Sequence, residues 1–251
     1  YGIVFSLLLI EAARRTVGLP LTILAAIFVV YIYAGPYMPG ELAHRGFSWK
    51  RILVRMTMTS EGVLGVAVMV SASYIFMFIL FASFLKATKA SQFFNDLAQA
   101  IAGKARGGPA KVAIFASALT GTINGSSQAN VATTGSFTIP LMKNTGYKPY
   151  FAGAVEAIAS TGGVLMPPIM GAAAFIMSSL IGVPYSRIIV AAITPSILYY
   201  FTLYNMVDLR AAKMGILGVE EEELPNLKDV IMQRGYLILP LVLIIGALVI
   251  G

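Results

Sequence analysis

The stretch that decides the fold is "GTINGSSQAN", residues 121–130, because it places polar side chains in the middle of a long apolar segment. Hydroxyl and amide side chains surround two glycines here, at a depth where the flanking residues predict burial in a membrane. Polar groups in the core of a bilayer are costly unless other groups satisfy their hydrogen bonds. The fold must therefore provide partners for this decamer, and irregular backbone at such depth is tolerated only inside protein or beside a wet cavity.

The composition predicts an integral membrane protein. Hydrophobic residues make up 58% of the 251 residues and charged residues only 12%, whereas a soluble domain carries roughly 25% charged residues. Several apolar runs approach or exceed the roughly 20 residues that a helix needs to cross a bilayer. We therefore predict an all-α, polytopic membrane protein.

The same composition excludes several classes of function. Cysteine is absent and His44 is the single histidine, so neither a thiolate site nor a histidine metal cluster is possible. No G-x-S-x-G pattern accompanies the serines of the decamer, and we predict that the chain is not an enzyme. The net charge of +7 comes from basic residues that flank apolar spans, which indicates membrane topology rather than nucleic-acid binding.

Apolar runs and their boundaries give the predicted order of elements. Interfacial helices are predicted over residues 45–60 and 91–104, and residues 218–234 are predicted to be a cytoplasmic loop. Both ends of the chain look cut, so we expect a piece of a larger protein. The predicted spans are the tail of a first span over 1–18, then 19–40, 62–85 and 186–207, and a truncated span over 236–251.

The basic segment 44–55 does not fit this topology. If the span over 62–85 runs from outside to inside, then residues 35–61 lie outside, together with Arg45, Lys50 and Arg51. That placement contradicts the usual excess of Lys and Arg on the cytoplasmic side. The sequence supports no placement for this segment beyond an interfacial arm.

The region around the decamer predicts a re-entrant helical hairpin. Apolar arms of 10 to 12 residues, "KVAIFASAL" and "VATTGSFTIPLM", enter and leave it, and each corresponds to about 16 Å of helix, or half of a bilayer core. Basic residues flank both the entrance (Lys104, Arg106, Lys111) and the exit (Lys143, Lys148). A single span would place these clusters on opposite sides of the membrane, whereas a hairpin places both on the cytoplasmic side.

Residues 149–182 predict a discontinuous helix. Helix-compatible arms flank "TGGVLMPP", in which two glycines and two prolines disfavour continuous helix. Such breaks near the membrane midplane are typical of ion and substrate sites in transporters. A kinked but continuous helix is the alternative.

If the two breaks meet, they offer hydroxyl, amide and carbonyl oxygens without a carboxylate, which suits a monovalent cation better than Mg²⁺ or Ca²⁺. Half-helix N-termini can attract an anionic group of a substrate. A sodium-coupled carrier of anionic solutes is therefore our hypothesis. Glu156 lies within a predicted helix, and either a proton or cation relay or a structural hydrogen bond accounts for it.

At these residues the chain resembles a known family. The segment from "GTINGSSQAN" to "GAAAFIM" resembles the large membrane subunit of TRAP (tripartite ATP-independent periplasmic) transporters. The stretches "TTGSFTIPLMK" and "ASTGGVLMPPIMGAAAFIM" are most similar to the TAXI-type branch, whose membrane subunits are commonly fused. The resemblance covers roughly residues 60–230 and is less distinctive over 1–45.

The resemblance implies an elevator-type carrier that uses Na⁺ as coupling ion and needs no other cofactor. It implies a periplasmic solute-binding protein and a small membrane subunit, or its fused equivalent, as partners in a bacterial or archaeal inner membrane. Serines are commoner in the family at the places of Thr122 and Asn124. The residues that it assigns to sodium or substrate binding are Thr122, Asn124, Gly125, Ser126, Ser127, Asn130, Ser160, Thr161, Gly162, Gly163 and Pro167.

On this interpretation the chain is the N-terminal portion of a permease for organic acids. Its predicted parts are 1–61 (scaffold spans and interfacial arm), 62–104 (span and arm helix), 105–182 (transport-domain half) and 183–251 (span, loop and truncated span). A proton-coupled elevator carrier that works through Glu156, a channel and a structural scaffold remain as alternatives.

Overall fold

The computed structural model describes residues 1–220, 222 and 224–250, and these residues form helices and turns without any strand. The all-α prediction is confirmed. Two positions of the predicted acidic loop, 221 and 223, lie outside the described residues. The chain divides into two compact units, Tyr1–Ala72 and Ser73–Gly251. The four-part division predicted from the sequence stays a prediction.

The first unit is built on a pair of antiparallel helices whose ends are crossed by a third. One end of the third helix lies beside the start of the first, since a Cβ at Gly2 would be 3.0 Å from Thr57 Oγ1. Its other end carries Trp49, which stacks on Tyr33 near the end of the second helix. A ten-residue helix is only about 15 Å long, so both contacts require the first two helices to be antiparallel. The helices are α1 (Gly2–Thr16), α2 (Leu19–Ala34), α3 (Trp49–Met58) and α4 (Val66–Val70).

A π-helical turn, Ser71–Ile75, follows α4, and the boundary between the two units lies within it. The helices of the second unit are α5 (Phe76–Ala87), α6 (Ala90–Ala102), α7 (Gly108–Asn124), α8 (Ser127–Asn144), α9 (Pro149–Gly162), α10 (Ala172–Ile181), α11 (Tyr185–Met214), α12 (Leu227–Arg234) and α13 (Leu239–Ile250). Helix α6 corresponds to the helix predicted over 91–104.

In the part of the chain that the structure describes, four helical segments are long and apolar enough to cross a membrane: Leu19–Tyr37, Val66–Leu85, Tyr185–Met214 and Leu227–Ala247. Together with the absence of strands among the described residues, they agree with a polytopic membrane protein. Residues 227–234, predicted as loop, form helix α12 at the start of the last segment, so the loop prediction is wrong there. Their cytoplasmic location stays a prediction. Asn226 caps this helix by accepting a hydrogen bond from the Lys228 amide at 3.0 Å, and Arg234 pairs with Asp96 on α6.

Helices α7, α8 and α9 form the best-packed part of the second unit. Ser117 on α7 lies opposite Thr134 on α8, so these two helices are antiparallel and form a hairpin. Ser117 also approaches Ser160 of α9, and a Cβ at Gly121 of α7 would lie 2.4 Å from Gly163 Cα, just past the end of α9. Helices α7 and α9 therefore run parallel. Small residues along these seams allow the close approach of backbones that membrane helices use.

The hairpin differs from its prediction in length. Its arms are 17 and 18 residues long, not 10 to 12, because the polar decamer is itself largely helical. Only Gly125 and Ser126 lie outside helix. Gly125 ends α7 with a φ of 57°, which favours glycine, and the Ser126 hydroxyl caps α8 by accepting from the Ala129 amide at 3.4 Å.

The discontinuous helix is observed. Helix α9 ends at Gly162 and α10 begins at Ala172, with nine residues of turns between them. This connection contains a cis peptide bond between Pro167 and Pro168, and Met170 has a φ of 55°. The helix is broken, and the alternative of a kinked continuous helix is wrong.

Candidate functional site

The two interruptions in the helices, the hairpin tip and the break between α9 and α10, lie against each other. A Cβ added to Gly125 at the tip would lie 2.2 Å from the Met170 carbonyl oxygen. One turn earlier, the backbones of Gly121 and Gly163 leave no room for a side chain between them. These close approaches show that the two breaks meet, as the hypothesis from the sequence requires.

An unpaired polar atom is buried beside this contact. Asn130 is fully buried, and its amide nitrogen donates to the Ser117 carbonyl oxygen at 2.8 Å. Its Oδ1 atom has no hydrogen-bond partner among the described residues, and neither does Thr120 Oγ1 nor Asn124 Nδ2. Buried polar atoms without partners are costly and rare. These unpaired atoms are the physical reason to expect a bound cation or water here.

Four helix ends converge on the same place. Helices α7 and α9 end here, so the partial negative charge of their C-termini points at the contact between tip and break. Helices α8 and α10 begin here, after Ser126 and Gly171, and supply two partially positive N-termini. The arrangement can therefore offer carbonyl oxygens to a cation and amide groups to an anion.

Helix α11 satisfies the irregular backbone of the break. The Ser196 hydroxyl donates to the Leu165 carbonyl oxygen at 2.7 Å. The Tyr185 hydroxyl lies 3.0 Å from the carbonyl oxygen of Pro168 and 2.6 Å from that of Ile169. These bonds replace the helical ones that the prolines and glycines remove, as irregular backbone at membrane depth requires.

A buried carboxylate links the three helices below the tip. Glu156 of α9 is fully buried and accepts from Ser117 on α7 at 3.0 Å and from Ser160, one turn further along α9, at 2.9 Å. It also accepts from Thr134 and Thr138 on α8. The hydroxyls of Ser117, Thr134 and Ser160 lie at Oε1 and that of Thr138 lies at Oε2, so both oxygens have hydrogen-bond donors. The structural hydrogen bond considered from the sequence is present, as a hub of four.

The residues implied by the resemblance fall into two groups. Ser160, Gly163, Asn130 and Gly125 lie at the contact of tip and break or in the hydroxyl cluster below it. Others are directed elsewhere: the Thr161 hydroxyl is exposed and donates to the Ala157 carbonyl oxygen. The Thr122 hydroxyl donates to the Leu119 carbonyl oxygen, and Ser127 donates to Gln128. Asn124 and Pro167 are partly buried, and Gly162 packs against Tyr199 and Tyr200.

Sequence analysis did not identify the hydroxyls that hold Glu156. Ser117 lies in an arm that was described only as apolar, and Thr134 and Thr138 lie in the other arm. Their spacing is informative in retrospect, because Thr134 and Thr138 are four residues apart and share one helix face. Ser160 likewise follows Glu156 by four residues.

An ion-pair cluster fastens the base of the hairpin to α11. Lys111 is 3% exposed, and its ammonium group lies 2.6 Å from Asp208 Oδ1 and 4.4 Å from the centre of the Tyr204 ring. Arg106 binds the same carboxylate. In the loop between α8 and α9, burial, with Asp208 nearby, raises the pKa of Tyr147 to about 12. Because Lys111 is buried against Tyr204, it contributes to packing as well as to the excess of basic residues at this end of the hairpin.

Comparison with known proteins decides the family. The model of the family described as "Tripartite ATP-independent periplasmic transporter, DctM component" matches residues 4–251. The chain belongs to this DctM family. The match extends over the first unit as well, where the sequence resemblance was less distinctive. Because the family is a transporter component, the prediction that the chain is not an enzyme is confirmed. The assignment to the TAXI-type branch stays a prediction.

Several known proteins are similar to part of this chain. The C4-dicarboxylate TRAP transporter large permease protein DctM of Rhodobacter capsulatus is 27% identical over 69% of this chain and 42% of its own length. The protein of the same name from Pseudomonas aeruginosa is 36% identical over 36% of this chain and 21% of its length. The isethionate TRAP transporter permease protein DctMQ of Oleidesulfovibrio alaskensis is 38% identical over 36% of this chain and 14% of its length. The matched part of each is less than half of that relative.

Proposed function

We propose that this chain is the N-terminal part of a secondary active permease that takes up organic acids by sodium symport. The observation that carries the proposal is the meeting of the hairpin tip with the broken helix around the unpaired Oδ1 atom of Asn130. A dehydrated sodium ion needs several oxygen ligands, and neutral hydroxyl, amide and carbonyl oxygens bind it without the strong charge that Mg²⁺ or Ca²⁺ demands.

Asn130 is the residue on which the sodium site depends most in this proposal. Its amide is fixed by the bond to the Ser117 carbonyl oxygen, so the position of Oδ1 does not have to be ordered when the ion arrives. The C-termini of α7 and α9 add partial negative charge at the same place. Ser126 lies at the hairpin tip and Ser160 lies in the hydroxyl cluster, and both are candidates to complete the ligand set.

The substrate class follows from the other two helix ends. The N-termini of α8 and α10 present amide groups to the contact between tip and break, and such groups favour a carboxylate or sulfonate. The relatives are named for C4-dicarboxylates and for isethionate, which are anions of these two kinds. An organic acid is therefore the substrate that we propose.

The partners and the location are proposed from family membership. A tripartite transporter combines a large permease with a small membrane subunit and a periplasmic solute-binding protein, and the fused name DctMQ of one relative fits a joined permease. The inner membrane is the matching location. The hairpin is proposed to be re-entrant, and its movement with α9 and α10 as one block would give an elevator mechanism.

Uptake by the full-length protein in proteoliposomes tests the proposal. We expect uptake of an organic acid to require both an inward sodium gradient and the cognate binding protein. Asn130→Ala should raise the sodium concentration that gives half-maximal uptake at least several-fold, because the ion loses a positioned oxygen. Asn144→Ala is the matched control, since Asn144 is exposed at the other end of the same helix.

Two results would contradict the proposal. Uptake that follows a proton gradient, ignores sodium and disappears in Glu156→Gln would favour the proton-coupled alternative. Flux that neither saturates nor needs the binding protein would indicate a channel.

A further inference from the structure

The first unit contains an open basic cavity that the transport proposal does not use. It has a volume of about 530 Å³, and Lys50, Arg51 and Arg55 line it together with the hydroxyl residues Ser48, Thr59 and Ser60. Glu61, the only acid in the lining, pairs with Arg55 at 2.5 Å. Three cations against one carboxylate leave the cavity with an excess of positive charge. This is the basic segment that had no place in the predicted topology.

A second, more apolar cavity adjoins the first. Its volume is about 290 Å³, and it is lined by Ile32, Phe47, Ile52 and Met56. Arg51, Arg55 and Glu61 line both cavities, which are therefore adjacent. The Arg51 guanidinium lies 5.2 Å from the centre of the Phe47 ring, and this contact holds it at the junction. A ligand that fills both cavities must combine an anionic group with an apolar tail.

The surrounding aromatic residues place both cavities at the level of a membrane interface. Trp49 stacks on Tyr33 with ring centres 4.9 Å apart, at the end of the membrane-length segment Leu19–Tyr37. Tyr31, three residues before the end of α2, packs edge-on against His44. Trp and Tyr are enriched where apolar chains meet head groups. Helix α3 crosses the ends of α1 and α2 at this level, so its basic side chains lie at the depth of lipid phosphates.

We propose that the two cavities bind one anionic phospholipid, with its phosphate beside Lys50 and Arg51 and part of an acyl chain against Ile32, Ile52 and Met56. A phosphate offers oxygens to the fork of a guanidinium in bidentate geometry. A soluble anion would leave the apolar cavity unfilled, and a zwitterionic lipid would leave the excess positive charge unbalanced. The site lies wholly within Tyr1–Ala72 and shares no residue with the proposed sodium site.

Trp49 allows the proposal to be tested directly, because it is the single tryptophan of the chain and precedes Lys50. The full-length protein, with any other tryptophan changed to phenylalanine, is reconstituted in mixed vesicles that contain brominated lipid. Bromine quenches tryptophan fluorescence at short range. We expect brominated phosphatidylglycerol to quench Trp49 at several-fold lower mole fraction than brominated phosphatidylcholine.

Charge variants then locate the preference. Arg51→Gln should reduce the preference for phosphatidylglycerol by up to about five-fold, the value of one basic side chain near an anionic surface. Arg51→Lys should retain most of it. Arg45→Gln is the matched control, because Arg45 is an exposed basic residue of the same segment that lines neither cavity. A monodisperse peak in size-exclusion chromatography reports that each variant is folded, whatever its uptake activity.

Three outcomes would overturn the proposal. Equal quenching by the two lipids would show that the cavities do not select an anionic lipid. An equal loss of preference in Arg45→Gln and Arg51→Gln would indicate general surface charge. Displacement of the brominated lipid by millimolar inorganic phosphate, beyond that by chloride at equal ionic strength, would assign the basic cavity to soluble anions.

Discussion

Helices α7 and α2 show how differently two apolar helices of this chain are packed. Thirteen of the 17 residues of α7 are buried, and they are mostly alanine, glycine, serine and threonine. Only Thr22 is buried among the 16 residues of α2, which is rich in leucine, isoleucine and valine. In a membrane, lipid is as apolar as leucine, so hydrophobicity does not draw a helix inward. Small and hydroxyl-bearing residues, rather than large apolar ones, make up most of the buried surface of α7.

The largest expected effect comes from removing the buried carboxylate. Glu156→Ala leaves a cavity and deprives four hydroxyls of their acceptor, so we expect a loss of about 3 to 5 kcal/mol in the free energy of unfolding. Titration with SDS of the protein in mild detergent measures this loss.

Glu156→Gln is the matched variant and should cost much less. If the Gln amide nitrogen takes the place of Oε1, the Thr134 hydroxyl can turn its hydrogen to the Asn130 carbonyl oxygen at 2.9 Å and accept from the amide. Thr138 can still donate to the remaining carbonyl oxygen. Equal losses for Ala and Gln would contradict the hydrogen-bonded hub as the source of stability.

An intermediate effect is expected from filling the contact between the two glycines. Gly121→Ala places a methyl group 2.4 Å from Gly163 Cα, which forces the helices apart, and overpacking of this kind costs about 1 to 3 kcal/mol. Gly153→Ala is the control on α9, because nothing lies within 4 Å of its added Cβ. The same unfolding titration should leave that control at or above the stability of the unmodified protein, and a tolerated Gly121→Ala would show that the backbones can separate.

The smallest effect is expected on the exposed side of α2. Phe28 is 57% exposed, and apolar lipid surrounds its ring in the folded and unfolded states alike, so Phe28→Ala should change the free energy of unfolding by less than about 0.5 kcal/mol. Phe93 of α6 is fully buried, and the cavity that Phe93→Ala leaves should make its loss several-fold larger than that of Phe28→Ala. Similar losses at the two positions would mean that exposure does not determine the cost.

The sequence was sufficient to predict most of the helices, apart from α12, and the two interruptions, because length, glycine and proline act locally. Gly125 and the pair Pro167–Pro168 mark the interruptions without any knowledge of tertiary structure. The lengths of the hairpin arms were predicted wrongly because the polar residues of 121–130 were read as loop. In the structure most of them stay helical, since the Asn130 amide nitrogen donates to the Ser117 carbonyl oxygen on α7 and neighbouring backbone packs against the glycines.

Long-range contacts account for what the sequence did not reveal. Ser117 was unremarkable in its apolar arm, and its role depends on Glu156, 39 positions further along the chain. Similarly, no local pattern pairs Lys111 with Asp208 or directs Ser196 to the carbonyl oxygen of Leu165. The packing of the helices determines such partners, and this packing leaves no periodic pattern in a single sequence.

The contact between Gly121 and Gly163 also has a consequence for the evolution of the gene. Every missense change in either codon adds at least a Cβ atom, and the facing position is already backbone. No replacement at one position can be compensated by shrinking the other, because glycine has nothing left to remove. Any single substitution at either position therefore brings atoms too close together, and the pair can change only if the spacing of the two helices changes as well.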